Sequence, residues 1–276
     1  MTSRSTLSPV ALVGYYAILV LVALVILFPL TVIASSSFKA ESEIVRFPMT
    51  ILPEEPTLEN FVDLRANFPR YIYNSFRVTG IIVLLQLATA TTAAYAFSKL
   101  HWRGRTALFL TYVATFMIPG HAIIIPQFVV VRTLGLFDSH AAVVLVSAFT
   151  AFGTFMVRQF FMTIPDSLLE AARIDGASEY TLFARIMLPL SKPVLATVVI
   201  FSFRFFWNDF FTPLIYLISP RLKTLPLGMA DFVTQYNIEY GPQMAASLIS
   251  IIPVMVVFFA AQRHFIHGMV TTGLKG

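Results

Sequence analysis

The sequence predicts an all-α, polytopic membrane protein: six transmembrane helices in a single domain over residues 1–276, with one helical insertion on the water side. Three observations predict it. Hydrophobic residues make up 57% of the chain and charged residues only 12%, against about 25% charged in a soluble domain, and the mean hydropathy is +0.79. Six apolar runs approach the roughly 20 residues a helix needs to cross a bilayer. Between the fourth and fifth lies IPDSLLEAARIDGASEYTLFARIMLPL, which carries charges, prolines and an Asp-Gly.

The first run, 10–33, is longer than the roughly 7–15 apolar residues of a signal peptide, so it reads as a retained span. The second, 71–97, carries Gln86. The third, 107–131, holds Gln127 and is interrupted by Pro119-Gly120 and Pro126; such breaks are tolerated only where protein or a water-filled cavity satisfies the freed backbone. The fourth covers 141–161. The fifth, 194–217, contains Arg204, Asn208 and Asp209 and is interrupted by Pro213, and the sixth covers 244–261.

The insertion, 164–190, reads as helix, turn, helix. Pro165 ends the apolar run because it lacks the N–H a continuing helix requires. Asp166 or Ser167 starts a short helix, their oxygens accepting from the first free N–H groups. Leu168, Leu169, Ala172 and Ile174 give it an apolar side. Asp175-Gly176 stops it, glycine supplying a left-handed conformation without a Cβ clash. A second segment starts at Ser178 and carries Phe183, Ile186, Met187 and Leu190 back to the membrane before Pro189 and Pro193. On local physics alone, an amphipathic elbow lying on the bilayer with Glu170 and Arg173 merely solvated fits equally well.

A charge at the centre of a span costs on the order of 2.5–3.5 kcal/mol by insertion scales, so such groups face a cavity or a partner. Gln127, Arg204, Asn208 and Asp209 are therefore candidates to line a pathway, and Gln86 belongs with them. Arg204 and Asn208, four apart, share a helix face; Asp209 lies about 140° round from Arg204 on an ideal helix, which disfavours an ion pair between them. Hydrogen bonding to neighbouring helices is the other role open to these groups.

Basic residues set orientation. With the amino terminus inside, Arg4, Lys99, Arg103, Arg105, Arg158, Arg173, Arg185, Lys192, Arg263 and Lys275 all fall inside and outweigh Asp166, Glu170, Asp175 and Glu179. Both termini and the insertion are expected in the cytoplasm.

Several functions are excluded. The net charge of +5 does not mark a nucleic-acid binder, because the basic residues sit between apolar runs instead of clustering on one face. There is no Cys, hence no disulfide or thiolate metal site. No G-x-x-x-x-G-K-[ST] phosphate loop occurs, so this chain does not hydrolyse ATP. His264 and His267 offer only two ligands, too few for a zinc site.

Glu170-Ala171-Ala172, a three-residue gap, Gly176, and then Ile186 with Leu188-Pro189 resemble the signature loop of ABC importer permeases. Met117-Ile118-Pro119 with Pro126, Leu134-Gly135-Leu136, Trp207-Asn208-Asp209, Gln262-Arg263 through Gly268 and the ending Gly273-Leu274-Lys275-Gly276 are similar to the carbohydrate-uptake permeases of the maltose transporter type. Met269-Val270-Thr271-Thr272 departs from the Leu-Thr-x-Gly more usual there. The resemblance implies the ABC importer permease fold and half a transporter, surrounded by membrane lipid. It implies a second permease, two ATP-binding subunits that hold ATP and magnesium, and an extracytoplasmic solute-binding protein met by outer loops including Tyr236, Asn237, Glu239 and Tyr240. No cofactor is expected in this chain. In this reading 164–190 couples to an ATPase: Leu168, Leu169, Ala171 and Ala172 carry docking, Glu170 sets register, and Asp175-Gly176 fixes the angle. An ion-coupled carrier, with Asp209 as its lone central acid, and a non-transport scaffold are the alternatives.

Overall fold

The structure is a computed structural model that describes residues 8–64, 66–233 and 238–273. Its described residues form helices joined by turns and irregular segments, and the only strand-like feature among them is a single bridge between Val233 and Ile238. Packing gathers the chain into two units, Met1–Ala66 with Asp231–Ile251 and Asn67–Ala230 with Ile252–Gly276.

In the first unit, Ser8 caps helix Pro9–Ser36 by accepting from the Ala11 amide at 3.3 Å. This is span one, and its apolar side chains are exposed all along Val10–Leu30. A span that turns apolar groups outward on every side has hydrocarbon as its solvent. The segment after it is tied by polar contacts. Lys39, 2% exposed, lies 3.8 Å from Glu43 and donates to Thr50 Oγ1 at 2.9 Å. Asn60 donates to the carbonyls of Ser37 at 3.0 Å and Lys39 at 2.8 Å. Glu41 accepts from the amides of Tyr240 at 3.0 Å and Gly241 at 2.8 Å, covering free N–H groups that open helix Tyr240–Gly273, span six.

The second unit is built along span two, Phe68–Ser98, against which spans four and five pack. Two clusters of buried apolar residues lie at its two ends. Ala94, Tyr95, Val157 and Phe161 anchor the one beside the insertion; Val78, Ile82, Val131, Val143 and Tyr216 anchor the far one.

Three helices are individually long and apolar enough to cross a membrane, and the total reaches six when each bent pair is one span; one of the three pairs joins Glu179–Leu190 of the insertion to Lys192–Trp207 through 75°. Bends make the difference. Span three is Arg105–Met117 and Gly120–Thr133, turned through 95°. Pro119 accounts for that break, with Ile118 and Pro119 both extended. Pro126 does not interrupt the span as expected: it is the third residue of helix Ile124–Thr133, where its missing N–H has no intrahelical acceptor to lose. Span four bends by 44° between His140–Ser147 and Ala151–Thr163, a break that no proline announces. Thr150 restarts the helix by accepting from the Gly153 amide at 3.0 Å.

The fifth span differs most from expectation. Its helix, Lys192–Trp207, stops ten residues short of the 217 read from the sequence, and Phe211–Tyr216 is a separate helix. Pro213 is again a third helical residue, so the break lies upstream of it, at Asn208–Phe210.

Candidate functional site

The insertion forms an elbow. Its first helix is Asp166–Ile174, preceded by extended Ile164 and Pro165. The cap expected from Asp166 or Ser167 is not made; Asp166 is the first helical residue, and its carboxylate serves another partner. Gly176 has φ of 85°. Around it the Ala177 amide donates to the Ala172 carbonyl at 2.9 Å and the Gly176 amide to the Arg173 carbonyl at 3.0 Å. These are the paired bonds of a Schellman stop, closed by the residue type that reaches positive φ without strain. Ser178 then caps the second helix, Glu179–Leu190, by accepting from the Thr181 amide at 3.3 Å. Within it Leu182–Met187 is a π turn. Pro189, two residues on, cannot donate to the Arg185 carbonyl four residues back, which is where a widened turn accommodates the chain.

The elbow has two faces. Leu169, Leu182 and Met187 are at most 1% exposed and pack with Tyr95, Val157 and Phe161. Leu169, expected with Leu168 at a partner contact, is therefore turned into the chain's own core. Ala172 packs partly against the same cluster. Facing outward are Leu168, Glu170, Ala171, Ile174, Asp175, Gly176 and Tyr180, with Ile174 86% and Tyr180 78% exposed.

Polar contacts bind the elbow to the last turn of span two. Lys99, whose side chain is 4% exposed, donates to Asp166 Oδ1 at 2.6 Å and to the Ile164 carbonyl at 2.7 Å. Tyr95 donates through its hydroxyl to Glu179 Oε2 at 2.6 Å. The other Glu179 oxygen accepts from Arg173 Nε at 2.9 Å, so one carboxylate joins both elbow helices across Gly176. The Lys99 ammonium holds the Asp166 carboxyl below its ordinary range. Arg173, and after it the Tyr95 hydroxyl, do the same for Glu179. None of these five residues stood out in the sequence as a fastening. Their partners are 6 to 84 residues away.

The polar groups of the spans divide. Gln86, 4% exposed, donates to the Ser147 carbonyl at 2.8 Å and accepts from Ser202 Oγ at 2.7 Å. It bonds to neighbouring helices, meeting the carbonyl that the bend of span four sets free. Arg204 is exposed on the last turn of its helix, and its carbonyl accepts from Asn208 Nδ2 at 2.7 Å. Asp209 Oδ1 accepts from the amides of Phe211 at 3.0 Å and Thr212 at 3.2 Å, which restarts the helix after the break. Among the described residues its Oδ2 is buried without a hydrogen-bond partner. His121, just after the break of span three, lies against Phe211 with ring centroids 4.6 Å apart and the ring planes tilted by 56°. The breaks of spans three and five therefore meet, with Asn208 and Asp209 beside the junction. Gln127 is half-buried on the helix that follows the first of these breaks.

Of the loop residues expected to meet a binding protein, Glu239 is exposed, while Tyr236 and Asn237 lie outside the described residues. Arg4, Arg65 and Leu274–Gly276 also lie outside them, as do the side chains of Arg263, His264 and His267.

Residues 86–271 match the family model described as a binding-protein-dependent transport system inner membrane component. The chain is 34% identical to the arabinooligosaccharides transport system permease protein AraQ of Halalkalibacterium halodurans, over 92% of this chain and 93% of that one. It is 34% identical to the sn-glycerol-3-phosphate transport system permease protein UgpE of Escherichia coli, over 92% of this chain and 94% of that one. Among solved structures it resembles a bacterial ABC transporter involved in import of the acidic polysaccharide alginate. The TM-score is 0.83 at 25% identity, over 96% of this chain and 99% of that one.

Proposed function

We infer, from the premise that the chain belongs to the family of binding-protein-dependent transport system inner membrane components, that it forms half of the membrane path of an ATP-driven carbohydrate importer. The other half is a second permease. Two ATP-binding subunits hold ATP and magnesium, and an extracytoplasmic binding protein delivers the sugar. The elbow and both termini are cytoplasmic.

The observation that carries this reading is the elbow's two-sided construction. Its inner face is buried against spans two and four, whereas its outer face sets Leu168, Ile174 and Tyr180 around Glu170 and Ala171 in the open. Apolar groups gathered on a water-facing surface mark a contact with another protein. Leu168, Ile174 and Tyr180 take the docking role, and Glu170 sets register. Gly176 and Asp175 hold the angle between the helices. The meeting of two broken spans through His121 and Phe211 supports Gln127, Arg204, Asn208 and Asp209 as lining of the path. The carbohydrate assignment is supported by relatives named for an arabinooligosaccharide and for alginate.

The test is reconstitution of the chain with its cognate permease, ATP-binding subunits and loaded binding protein in proteoliposomes. Uptake of the carried sugar is expected to require ATP and to persist with ionophores present. Uptake that needs an ion gradient and no ATP returns the ion-coupled reading; a stable complex without uptake returns the scaffold.

A further inference from the structure

The elbow is joined covalently to only two spans. Extended Ile164-Pro165 leads into it from span four, and Ser191 leads out into span five. Its inner face is also held by the apolar packing of Leu169, Leu182 and Met187 against the spans, an attraction that has no preferred direction. Polar contacts to span two supply a third point. Tyr95 and Lys99 are four residues apart, so they stand on one face of the last turn of that helix. Lys99 grips the start of the first elbow helix through Asp166 and the Ile164 carbonyl. Tyr95 grips Glu179, and through it Arg173, at the corner where both elbow helices meet. Both gripping groups are at most 6% exposed, so each needs a protein acceptor, while the carboxylates that meet them reach solvent. To the two chain connections and the apolar packing, these bonds add directional contacts at two separated points on span two.

Span two also carries the load onward. From Tyr95 the same helix runs back to Gln86, whose two hydrogen bonds reach the bend of span four at Ser147 and span five at Ser202. A displacement of span two at the elbow is thereby applied at a junction of three spans, beside a helix already broken.

We propose that Tyr95 and Lys99 are positioning residues that make span two the third support of the elbow, so that ATP-driven movement of the elbow is delivered through span two to the Gln86 junction. This rests on the reading of the elbow as the contact with ATP-binding subunits. It assigns the force path to a helix that is not covalently connected to the elbow.

The test uses the complete complex, with spin labels on cysteines introduced at Leu84 in span two and Leu108 in span three, both exposed. The distance between labels is measured without nucleotide and with ATP trapped by vanadate. Tyr95→Phe removes only the hydroxyl and leaves the ring against Phe161 and Phe183; Lys99→Met removes the ammonium and keeps the stem. In the double variant the ATP-binding subunits are expected to remain bound and to hydrolyse ATP, while the distance change falls to less than half of the parent's. A change of parental size in the double variant overturns the proposal. So does loss of the ATP-binding subunits from it, which would make these residues part of docking and not of transmission. If the parent shows no nucleotide-dependent change, the reading of the elbow fails, and the proposal with it.

Discussion

Gln86 joins three spans through one buried amide: its Oε1 accepts from Ser202 Oγ at 2.7 Å while its Nε2 donates to the Ser147 carbonyl at 2.8 Å. The bend of span four leaves that carbonyl without a helical donor. In a membrane interior no water replaces the missing bond. Gln86→Leu keeps nearly the same volume and removes both contacts, leaving a hydroxyl and a carbonyl unmet. The expected cost is about 1–3 kcal/mol, read as a lower thermal midpoint of the purified protein in detergent. An unchanged midpoint shows that the bend is satisfied by other groups, such as Thr89, which donates to the Ala148 carbonyl at 3.2 Å.

Gly176 gives a cleaner test of conformation against contact. Its φ is 85°, and a Cβ built there meets nothing within 4 Å. Any penalty for a side chain is therefore backbone strain, roughly 1–2 kcal/mol for a residue that resists the left-handed region. Gly176→Asn, whose side chain tolerates that region, is expected to transport near the parental rate. Gly176→Val is expected to insert normally and to lose uptake. Equal uptake by both variants, at equal membrane level, removes the requirement for a fixed elbow angle.

Acid should loosen the elbow at a definable point. Asp166 and Glu179 both titrate below their ordinary values, because Lys99 and Arg173 respectively donate to the charged forms. A depressed folded value means that the stabilisation is complete above the unfolded range, about 4 for a carboxyl. It is lost as pH falls through the folded value. Hydrogen-exchange protection of 166–190, corrected for intrinsic rates, is expected to hold from neutral pH down to about 4 and to fall below that. Glu179→Gln should lower protection at neutral pH, approach the parent in acid, and so flatten the acid limb. An acid limb of parental shape in that variant places the titrating group elsewhere.

Topology can be read with introduced cysteines, since the chain has none of its own. Glu55 and Tyr180 are both exposed. A membrane-impermeant thiol reagent added to intact cells is expected to label Glu55→Cys and to reach Tyr180→Cys only after permeabilisation. The reverse pattern inverts the orientation argued from the basic residues.

Much of this protein is determined by its sequence alone. Composition made it a membrane protein, because apolar runs of bilayer length have no other stable solvent. The elbow's outline, with its Pro165 entry, its Gly176 corner and its Ser178 restart, is legible because each feature depends on the φ, ψ or hydrogen-bonding capacity of one residue and its neighbours. Tertiary structure decided what depends on where those elements dock. Leu168 and Leu169 are chemically alike, yet one is 44% and the other 1% exposed, because only the rotation of the elbow helix against spans two and four separates them. Pro126 and Pro213 read as breaks in sequence but sit where helices begin, since the harm a proline does depends on whether its missing N–H had an acceptor. The bend of span four is unannounced because Gln86, 61 residues away, satisfies one of its carbonyls. Lys99 with Asp166 and Tyr95 with Glu179 pair across 67 and 84 residues. Such pairs are invisible to local periodicity: a buried ammonium and a buried hydroxyl are stable only when packing delivers an acceptor to each.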